Sequence, residues 1–244
     1  MTVYRYKSLT STNNEASRLA PSLANGDTVV THTQTAGRGQ RGNSWEAAPG
    51  MNLTFSVFLR PENIPVPRSF LISMATAVAI VESLAKYLPD EEVSIKWPND
   101  IYVADKKLAG ILIENSFMGQ NVESSIIGIG LNVNQSEFLS DAPNPVSMSM
   151  ITGQHYDLDE LLDDIVQNIV SLTADLSDSV FADNIIRRYH SRLWRRTGVH
   201  RWRLPDGEEF DGSILRVAPT GHLELTLPDG SSRSFAFKEV FPVM

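Results

Sequence analysis

A short segment rich in glycine and arginine is the part of the sequence whose residue types first suggest chemistry. Residues 37–42 read Gly-Arg-Gly-Gln-Arg-Gly. Glycine lets a backbone approach a ligand closely, and an arginine guanidinium binds phosphate or carboxylate through two parallel hydrogen bonds. The segment is therefore a candidate for a loop that closes over an anionic ligand. A solvated surface turn is the alternative for such a loop taken alone.

The glycine spacing also matches two nucleotide-binding patterns, and the context excludes both. The dinucleotide pattern G-x-G-x-x-G needs a helix that opens inside the motif. Residues 43–50 instead contain proline and glycine and lead into a strand pattern. A phosphate-binding P-loop would need a lysine directly after Gly42, where this chain has Asn43.

Two lysines lie beside apolar strand patterns. Lys96 begins the block Lys-Trp-Pro-Asn-Asp of residues 96–100, and Lys107 begins Lys-Leu-Ala-Gly-Ile-Leu-Ile-Glu of residues 107–114. The simplest interpretation is a strand, a turn and a hairpin. Lysine is costly beside buried strands unless it is paired or functional, so both side chains are candidates for binding an anion.

Two further segments are weaker signals when taken singly. The run Ser11-Thr12-Asn13 precedes a helix pattern and is typical of a helix N-cap. Because Glu15 follows Thr12 by three residues, we predict a capping box there. Residues 128–134 read Gly-Ile-Gly-Leu-Asn-Val-Asn, and a Gly-x-Gly in a strand usually marks a bulge or a close packing point.

These candidates must be positioned by a mixture of strands and helices. Hydrophobic periodicity predicts strands over 3–9, 28–33, 53–59, 93–97, 101–103, 108–114 and 126–133, and helices from about 10 to 20, 69–88, 158–176 and 181–196. The alternation over 53–59 is typical of a half-buried strand. After about Thr197, short β-like runs alternate with Pro/Gly turn signals, which predicts a small SH3-like β-barrel. We expect an α+β fold with domains at 1–192 and 193–244.

Composition limits the classes of function. The chain has 244 residues, a formal net charge of −8 and no cysteine. A thiolate metal site and a cysteine nucleophile are therefore excluded, and the acidic balance argues against a protein that mainly grips a nucleic-acid backbone. The N-terminus lacks the apolar core of a signal peptide. The apolar stretch 70–88 contains Glu82 and Lys86, which favours a buried helix and a cytoplasmic protein with no membrane span.

Taken together and in this order, the motifs closely resemble those of the biotin protein ligases. The resemblance runs through residues 11–13, 33–42, Trp45, 96–100, 107–114 and 128–132, and continues into the C-terminal β module. The Lys-Trp-Pro-Asn-Asp block followed by Lys-Leu-Ala-Gly carries most of the specificity. The resemblance implies a mixed-sheet catalytic domain of the biotin/lipoate ligase type.

The resemblance also implies roles for individual positions. Lys107 and Arg38 would be catalytic, and Asp100 would influence magnesium. The biotin-binding positions would be Ser11, Thr12, Asn13, Gln34, Arg38, Gly39, Gln40, Lys107 and Gly110. The nucleotide-binding positions would be Arg41, Trp45, Lys96, Asn99 and Asn132.

The implied reaction uses biotin, ATP and Mg²⁺, and it fits these residue types. A biotin carboxylate would attack the α-phosphate of ATP, so cations are needed to offset the repulsion between two anions. The product, biotinyl-5′-AMP, hydrolyses in water, and a loop that orders over it would exclude water. A lysine of a biotin carboxyl carrier protein would then attack the carbonyl, with no covalent enzyme intermediate.

Two departures from the family pattern affect these expectations. Gln40 and Asn43 stand where related loops often carry arginine, so Arg38 and Arg41 should carry most of the attraction that closes the loop. The motifs begin at residue 11, which leaves no room for the DNA-binding domain of regulatory members. We therefore expect a ligase that binds no DNA, as a monomer or a homodimer. The alternatives are a lipoate or octanoate ligase, a non-catalytic ligand-binding module with this fold, and a nucleic-acid binder.

Overall fold

A mixed sheet forms the body of the protein. The computed structural model describes residues 1–40, 43–89, 92–139 and 144–243. In that part of the chain the sheet has seven strands in the order β1-β2-β3-β7-β6-β5-β4. β1 and β2 are parallel and every other neighbouring pair is antiparallel. The strands are β1 (Val3–Tyr6), β2 (Thr28–Thr31), β3 (Leu53–Leu59), β4 (Val93–Lys96), β5 (Asp100–Val103), β6 (Lys106–Met118) and β7 (Asn121–Leu131).

The helices cover the two faces of the sheet unequally. Their bounds are α1 (Thr12–Leu19), α2 (Phe70–Leu84), α3 (Met148–Thr152), α4 (Leu158–Thr173) and α5 (Ser179–Ser191). α2 packs against α4, α5, β4 and β5, and α4 also reaches β3, so this layer covers one face. α1 packs on β2, β3 and β7 from the other face. The large hydrophobic core lies under the α2 layer, and a smaller apolar cluster that includes Ala16 and Phe58 lies under α1.

Helix α2 is apolar on nearly all sides because it is the central helix of this core. The stretch Val66–Leu84 has a mean hydropathy of 1.3, which is long and apolar enough to span a membrane by those criteria alone. However, 61% of that window is buried inside the fold. A helix that is hydrophobic all round belongs in a core or in a membrane, and here its neighbours are α4 and α5.

Strand β3 differs from the half-buried strand that its alternation predicted. All seven of its residues are buried. Leu53, Phe55 and Val57 belong to the main core, whereas the intervening Thr54 and Ser56 are polar and equally inaccessible. The polar positions are buried because the opposite face carries α1 and a pocket, so it is not a solvent face.

The C-terminal part is a separate antiparallel sheet. Its five strands follow the order β11-β10-β9-β8-β12 and comprise β8 (His200–Arg203), β9 (Glu209–Val217), β10 (Leu223–Thr226), β11 (Ser232–Phe235) and β12 (Phe241–Pro242). Gly207, Gly221 and Gly230 occupy its predicted turns with φ values of +93°, +90° and +83°. Glycine adopts this left-handed region without steric cost, which explains the Pro/Gly turn signals.

Three local predictions need correction. The capping box at Thr12 is wrong, because Ser11 is the N-cap residue and Glu15 instead bonds to Tyr6 and Arg18. β6 and β7 form a longer hairpin than predicted, extending to Met118 and back from Asn121. The short helix α3 was not predicted at all.

Candidate functional site

One pocket gathers almost all of the site residues that the sequence suggested. It opens on the α1 face of the sheet, between the loop that follows Gln34 and the C-terminal sheet. The suggested residues that line it are Ser11, Thr12, Asn13, Gln34, Arg38, Gly39, Gln40, Trp45, Lys96, Asn99, Asp100, Lys107 and Gly110. Segments as far apart in sequence as the start of α1 and the β4–β5 turn therefore contribute to a single cavity.

Hydrogen-bonding side chains form one end of this pocket, which we name the polar floor: Ser11, Thr12, Asn13 and Gln34 line it, and Ser56 supports them from inside the fold. Gln34 Oε1 accepts from the Thr12 backbone N–H at 2.9 Å. Ser56 Oγ donates to Asn13 Oδ1 at 2.6 Å and lies 2.8 Å from Thr12 Oγ1. Ser56 is completely buried and Asn13 is only 3% exposed, so these contacts hold the polar groups in fixed orientations inside the fold.

Ser11 has an N-cap position without the usual N-cap interaction. Its backbone is extended before α1, but its side chain makes no capping hydrogen bond. The residue is buried and lines the pocket. Since a buried hydroxyl normally finds a hydrogen-bond partner, this geometry favours a role towards a ligand over the capping role that the sequence pattern alone suggested.

Glycines in the sheet create the space that the pocket needs. A Cβ at Gly128 would lie 2.2 Å from Asn13 Oδ1, and one at Gly130 would lie 2.2 Å from Trp45 Cε2. Gly130 pairs directly with Gly110 across β6 and β7, so the Trp45 indole lies over two residues without side chains. The Gly-x-Gly pattern of β7 is therefore a close packing point, where one glycine admits Asn13 and the next admits Trp45.

Lysines and a carboxylate occupy the other end of the pocket. Lys107 Nζ forms an ion pair of 2.8 Å with Asp100 Oδ1 and lies 5.7 Å from the centre of the Trp45 ring. The Lys107 side chain runs along β6 towards Gly110, where its Nζ lies 3.5 Å from the position that a Cβ would take. Gly110 is two residues, or about 7 Å along the strand, from Leu112, whose carbonyl Asn13 contacts. The cationic end and the polar floor therefore lie next to each other along β6.

Lys96 lies beside aromatic rings at the same end. Its ammonium donates to Tyr102 Oη at 2.8 Å and lies 5.1 Å from the Trp194 ring centre. Burial lowers the pKa of Lys96, while the nearby Asp100 carboxylate acts in the opposite direction. Burial also raises the pKa of Tyr102, so Tyr102 remains a neutral partner near pH 7.

The two sides of the loop after Gln34 meet at residues 38–39 and 43–44. Gly39 N donates to Asn43 O at 2.6 Å, and Arg38 pairs with Ser44 as an antiparallel bridge. Arg38 NH2 also forms an ion pair of 3.0 Å with Glu114 Oε2 on β6. Gln40 Oε1 is buried and has no hydrogen-bond partner among the described residues, which leaves it as an acceptor at the pocket wall.

Among the suggested residues that the structure describes, Asn132 is the one that does not line the pocket. Asn132 lies in the core, where its side chain donates to Val146 O at 3.1 Å. Arg41 lies outside the described residues. Asn99 does line the cavity, but its amide donates to Ile111 O at 2.7 Å and so helps to fix β6 beneath the pocket.

The expected magnesium position can be tested against the acidic side chains. No group of three His, Cys, Asp or Glu residues suited to a metal occurs within residues 1–40, 43–89, 92–139 and 144–243. Asp100 is already paired with Lys107. These residues do not make a resident metal site, and Mg²⁺ in such a pocket would depend mainly on ligands from a substrate's phosphates.

The C-terminal sheet completes one wall of the pocket. Trp97 Nε1 donates to Gly221 O at 2.9 Å, and the Trp97 ring packs edge-on against Phe237 at 6.2 Å between centres. The apolar lining from this sheet consists of Trp202, Ile214, Leu223, Phe237, Val240, Phe241 and Pro242. The cationic end therefore faces a hydrophobic wall.

Ser56 and Glu114 hold pocket-lining residues in place, and the sequence reasoning missed both. Ser56 was hidden inside a predicted strand, although its polar position in the β3 alternation was a usable signal. Glu114 stands at the end of a sequence motif, and its partners Asn13 and Arg38 belong to two other segments of the chain. Such a contact becomes visible only when the sheet has formed.

Comparison with known proteins agrees with this geometry. The model of the Biotin/lipoate A/B protein ligase family matches residues 3–132. A biotin--[acetyl-CoA-carboxylase] ligase of Paracoccus denitrificans is 35% identical over 224 residues, which cover 86% of this chain and 92% of that protein. The bifunctional ligase/repressor BirA of Bacillus subtilis is 37% identical over 155 residues, which cover 61% of this chain but 46% of that protein.

The fold is also known from solved structures. A biotin protein ligase from Aquifex aeolicus, in complex with biotin and ATP, superposes with a TM-score of 0.81 over 99% of this chain and 98% of that one, at 22% identity. The family model and the Paracoccus ligase together define a protein of the ligase class. More particularly, the chain belongs to the Biotin/lipoate A/B protein ligase family. The predicted α+β fold of the biotin/lipoate ligase type with a small C-terminal β sheet is confirmed.

Proposed function

We propose that this chain is a biotin–protein ligase that converts biotin and ATP to biotinyl-5′-AMP and transfers the biotin to a lysine of a carrier protein. The observation that carries this proposal is the arrangement of one pocket, with buried hydrogen-bonding side chains at one end and cations at the other. The 35% identity to the Paracoccus ligase over nearly its whole length supports it.

The polar floor favours biotin over lipoate within the same family. A ureido ring offers two N–H donors and a carbonyl acceptor, which match the hydroxyl and amide groups of Ser11, Thr12 and Asn13. The dithiolane of lipoate offers no such groups and would leave the buried Ser11 hydroxyl, which makes no capping hydrogen bond, without a partner at a cost of about 1–3 kcal/mol. A site built to hydrogen-bond its ligand rejects an analogue that lacks those groups much more strongly than an apolar pocket does.

The cations suit the first chemical step. When the biotin carboxylate attacks the α-phosphate, negative charge accumulates at the reacting oxygens and pyrophosphate leaves. We assign Lys107 and Arg38 to stabilise that charge. The Asp100 carboxylate holds the Lys107 ammonium in the pocket before substrates arrive, so that the lysine need not be reoriented during the reaction. Mg²⁺ would be supplied together with ATP and would screen its phosphates.

The surrounding elements suit the second step. The loop at Arg38 and the apolar wall from the C-terminal sheet would exclude water from the mixed anhydride. A carrier lysine amine then attacks the biotinyl carbonyl, the new C–N bond forms, and AMP departs as the C–O bond to phosphate breaks. We retain the division into a catalytic domain at 1–192 and a C-terminal domain at 193–244, and we assign the second domain to the nucleotide side of the pocket.

The macromolecular partner follows from this chemistry. We propose a biotin carboxyl carrier domain as the acceptor, in the cytoplasm and without a role for DNA. Since the formal net charge is −8, long-range attraction to a phosphate backbone is not favoured. The family and the similar ligases support biotin and ATP as the substrates.

Exchange of pyrophosphate into ATP tests the proposal directly. We expect exchange that depends on added biotin, with lipoate and octanoate giving little or none at the same concentration. Exchange driven by lipoate or octanoate but not by biotin would reassign the substrate within the family. The absence of exchange with all three acids, under conditions where the protein is folded, would refute an adenylating enzyme.

A further inference from the structure

Glu114 connects the polar floor to the loop that covers the pocket. A single carboxylate oxygen, Glu114 Oε2, accepts a hydrogen bond from Asn13 Nδ2 at 2.7 Å and another from Arg38 NH2 at 3.0 Å. Asn13 is 3% exposed, whereas the side chains of Arg38 and Glu114 are 42% and 41% exposed. The oxygen therefore joins a buried residue to a residue at the mouth of the pocket.

The contact is the last link of a continuous polar network. Gln34 Oε1 binds the Thr12 backbone N–H, Thr12 lies against Ser56, and Ser56 donates to Asn13. Asn13 then reaches Arg38 through Glu114. Because Gln34 and Arg38 are four residues apart in sequence, the network starts and ends on the same loop. The first turn of that loop is consequently held at both ends by the floor of the pocket.

Glu114 differs in this respect from an ordinary surface ion pair. An exposed pair contributes little on its own, because ordering two long side chains opposes a screened attraction. Here the carboxylate stands on β6 opposite Ile126 of β7, and the Asn13 amide fixes the oxygen that Arg38 uses. A charged acceptor also makes both hydrogen bonds stronger than their neutral equivalents.

We propose that Glu114 is a positioning residue, which holds Arg38 at the pocket mouth and couples its position to the residue that faces the biotin ring, Asn13. This inference rests on the proposed function for its ligand, but the contact itself does not. Part of the entropy lost when the loop orders is then already lost in the free protein, which favours retention of the adenylate.

The test compares Glu114→Gln with Glu123→Gln. Glutamine at 114 keeps an oxygen that accepts from Asn13 but removes the charge that attracts Arg38. Glu123 is an exposed acidic residue on the neighbouring strand β7, so its variant is a matched control for the loss of one negative charge. Two quantities are measured: the rate of tryptic cleavage after Arg38 in the ligand-free protein, and the rate at which preformed biotinyl-5′-AMP is released.

We expect Glu114→Gln to increase both rates by about two- to fivefold, the range for the loss of a partly exposed ion pair, and Glu123→Gln to leave both unchanged. In an Arg38→Gln background, Glu114→Gln should add no further increase in release. Unchanged or slower release in the single variant, or a full additional increase in the Arg38→Gln background, would overturn the proposal.

The two readouts separate this inference from the proposed function. If the wild-type protein makes no adenylate from biotin and ATP, the proposed function fails. The comparison of tryptic cleavage rates still tests whether the Arg38–Glu114 ion pair holds the loop, because it uses the protein without ligands. Equal cleavage of wild type and Glu114→Gln would show that the ion pair does not hold the loop and would overturn the inference by itself.

Discussion

Lys107 illustrates how a single side chain is prepared for its chemistry. A lysine beside buried strands needs an anionic partner. The structure shows that Asp100 already fills this role at 2.8 Å. A half-buried ammonium with a protein partner does not depend on substrate to stay in place, so Lys107 is oriented before binding.

Replacing Lys107 should therefore affect the reaction far more than the fold. We expect Lys107→Ala to slow adenylate formation by about 10²–10³-fold, the usual effect of losing one group that stabilises transition-state charge. Stability should fall slightly, because Asp100 loses its partner. Biotin-dependent pyrophosphate exchange and the thermal midpoint measure the two effects.

The neighbouring lysine provides the control for this prediction. Lys106 belongs to the same strand but is exposed, so Lys106→Ala should retain normal exchange. Near-normal exchange in Lys107→Ala, or an equal loss in both variants, would remove Lys107 from the catalytic role.

The same scale shows which site residues a sequence can reveal. Lysine, arginine and a polar run before a helix stand out because their types are unusual for their places. Ser56 and Glu114 do not stand out, since serine in a strand and glutamate at a strand end are ordinary. Their importance comes from partners on other segments, at sequence separations of 43 for Ser56–Asn13 and 76 for Arg38–Glu114.

At the scale of secondary-structure elements, the hairpin of β6 and β7 serves as the base of the site. Its glycines allow side chains from α1 and from the loop to lie directly on the backbone. Hydrophobic periodicity predicted both strands, but it ended β6 too early and began β7 too late, because the hairpin projects beyond its neighbour β5 and is exposed there at Phe117 and Met118. Apolar and polar residues do not alternate regularly in this exposed part, and such predictions rely on that alternation.

Two alanine substitutions in β7 should affect the binding of biotin and of ATP differently, because each lies at a different end of the pocket. Gly128→Ala places a methyl group against Asn13, and Gly130→Ala places one against the Trp45 indole. We expect the first to weaken biotin binding by roughly tenfold, about the value of one lost hydrogen bond, and the second to weaken ATP binding more than biotin binding. Calorimetric titration of each ligand into each variant measures this, and each variant is the control for the other. If both variants weaken biotin and ATP binding to the same extent, the two glycines do not belong to separate biotin and ATP parts of the pocket.

The start of α1 shows why a correct helix prediction can carry a wrong local interpretation. The pattern Ser/Thr followed by Glu indicates a helix N-terminus, and the helix does begin at Thr12. However, tertiary contacts compete for the same side chains. Glu15 bonds to Tyr6 and Arg18, and Thr12 contacts Gln34, so neither side chain is available for the capping interaction.

At the scale of the whole molecule, the two sheets meet around the pocket. The C-terminal sheet supplies the apolar wall, and Phe241 on its last strand is 42% exposed at that wall. We expect Phe241→Ala to raise the KM for ATP about threefold to tenfold, since burying a large side chain contributes about 1.5–3 kcal/mol when it is complete, and to change the KM for biotin less. Val199→Ala, at an exposed apolar position outside the pocket, is the control. Equal changes in the KM values for ATP and biotin would show that Phe241 does not contribute specifically to ATP binding.

His190 joins the helical layer to the C-terminal sheet. His190 Nε2 lies 2.8 Å from the Val217 backbone N and 3.2 Å from the Val217 carbonyl O. The shorter contact uses Nε2 as an acceptor, a role that only the neutral ring can fill. Burial lowers the pKa of His190 below its ordinary value of 6.5, with Arg216 acting in the same direction and contacts with backbone carbonyls opposing it. Below pH 6.5 the unfolded chain therefore binds a proton that the folded protein does not, and stability falls as pH falls.

Thermal unfolding between pH 7.5 and about pH 5 checks this prediction. We expect the midpoint to fall with pH, by about 2–4 °C for each kcal/mol lost, and the fall to be smaller in His190→Gln, which keeps an acceptor for Val217. The exposed His222 on the same sheet serves as the control residue. A wild-type midpoint that is flat over this range, or an equal slope in His190→Gln, would show that His190 does not contribute.

Alternate residues of strand β3 have two different structural roles. Leu53, Phe55 and Val57 build the core, while Thr54 and Ser56 face the pocket side. Since side chains alternate with a period of two, the loss or gain of one residue would turn every following side chain to the opposite face. The packing of the core and the geometry of the site would then both be lost. This segment can thus vary in residue type but not in length, and natural insertions and deletions in related chains must fall in the connections outside it.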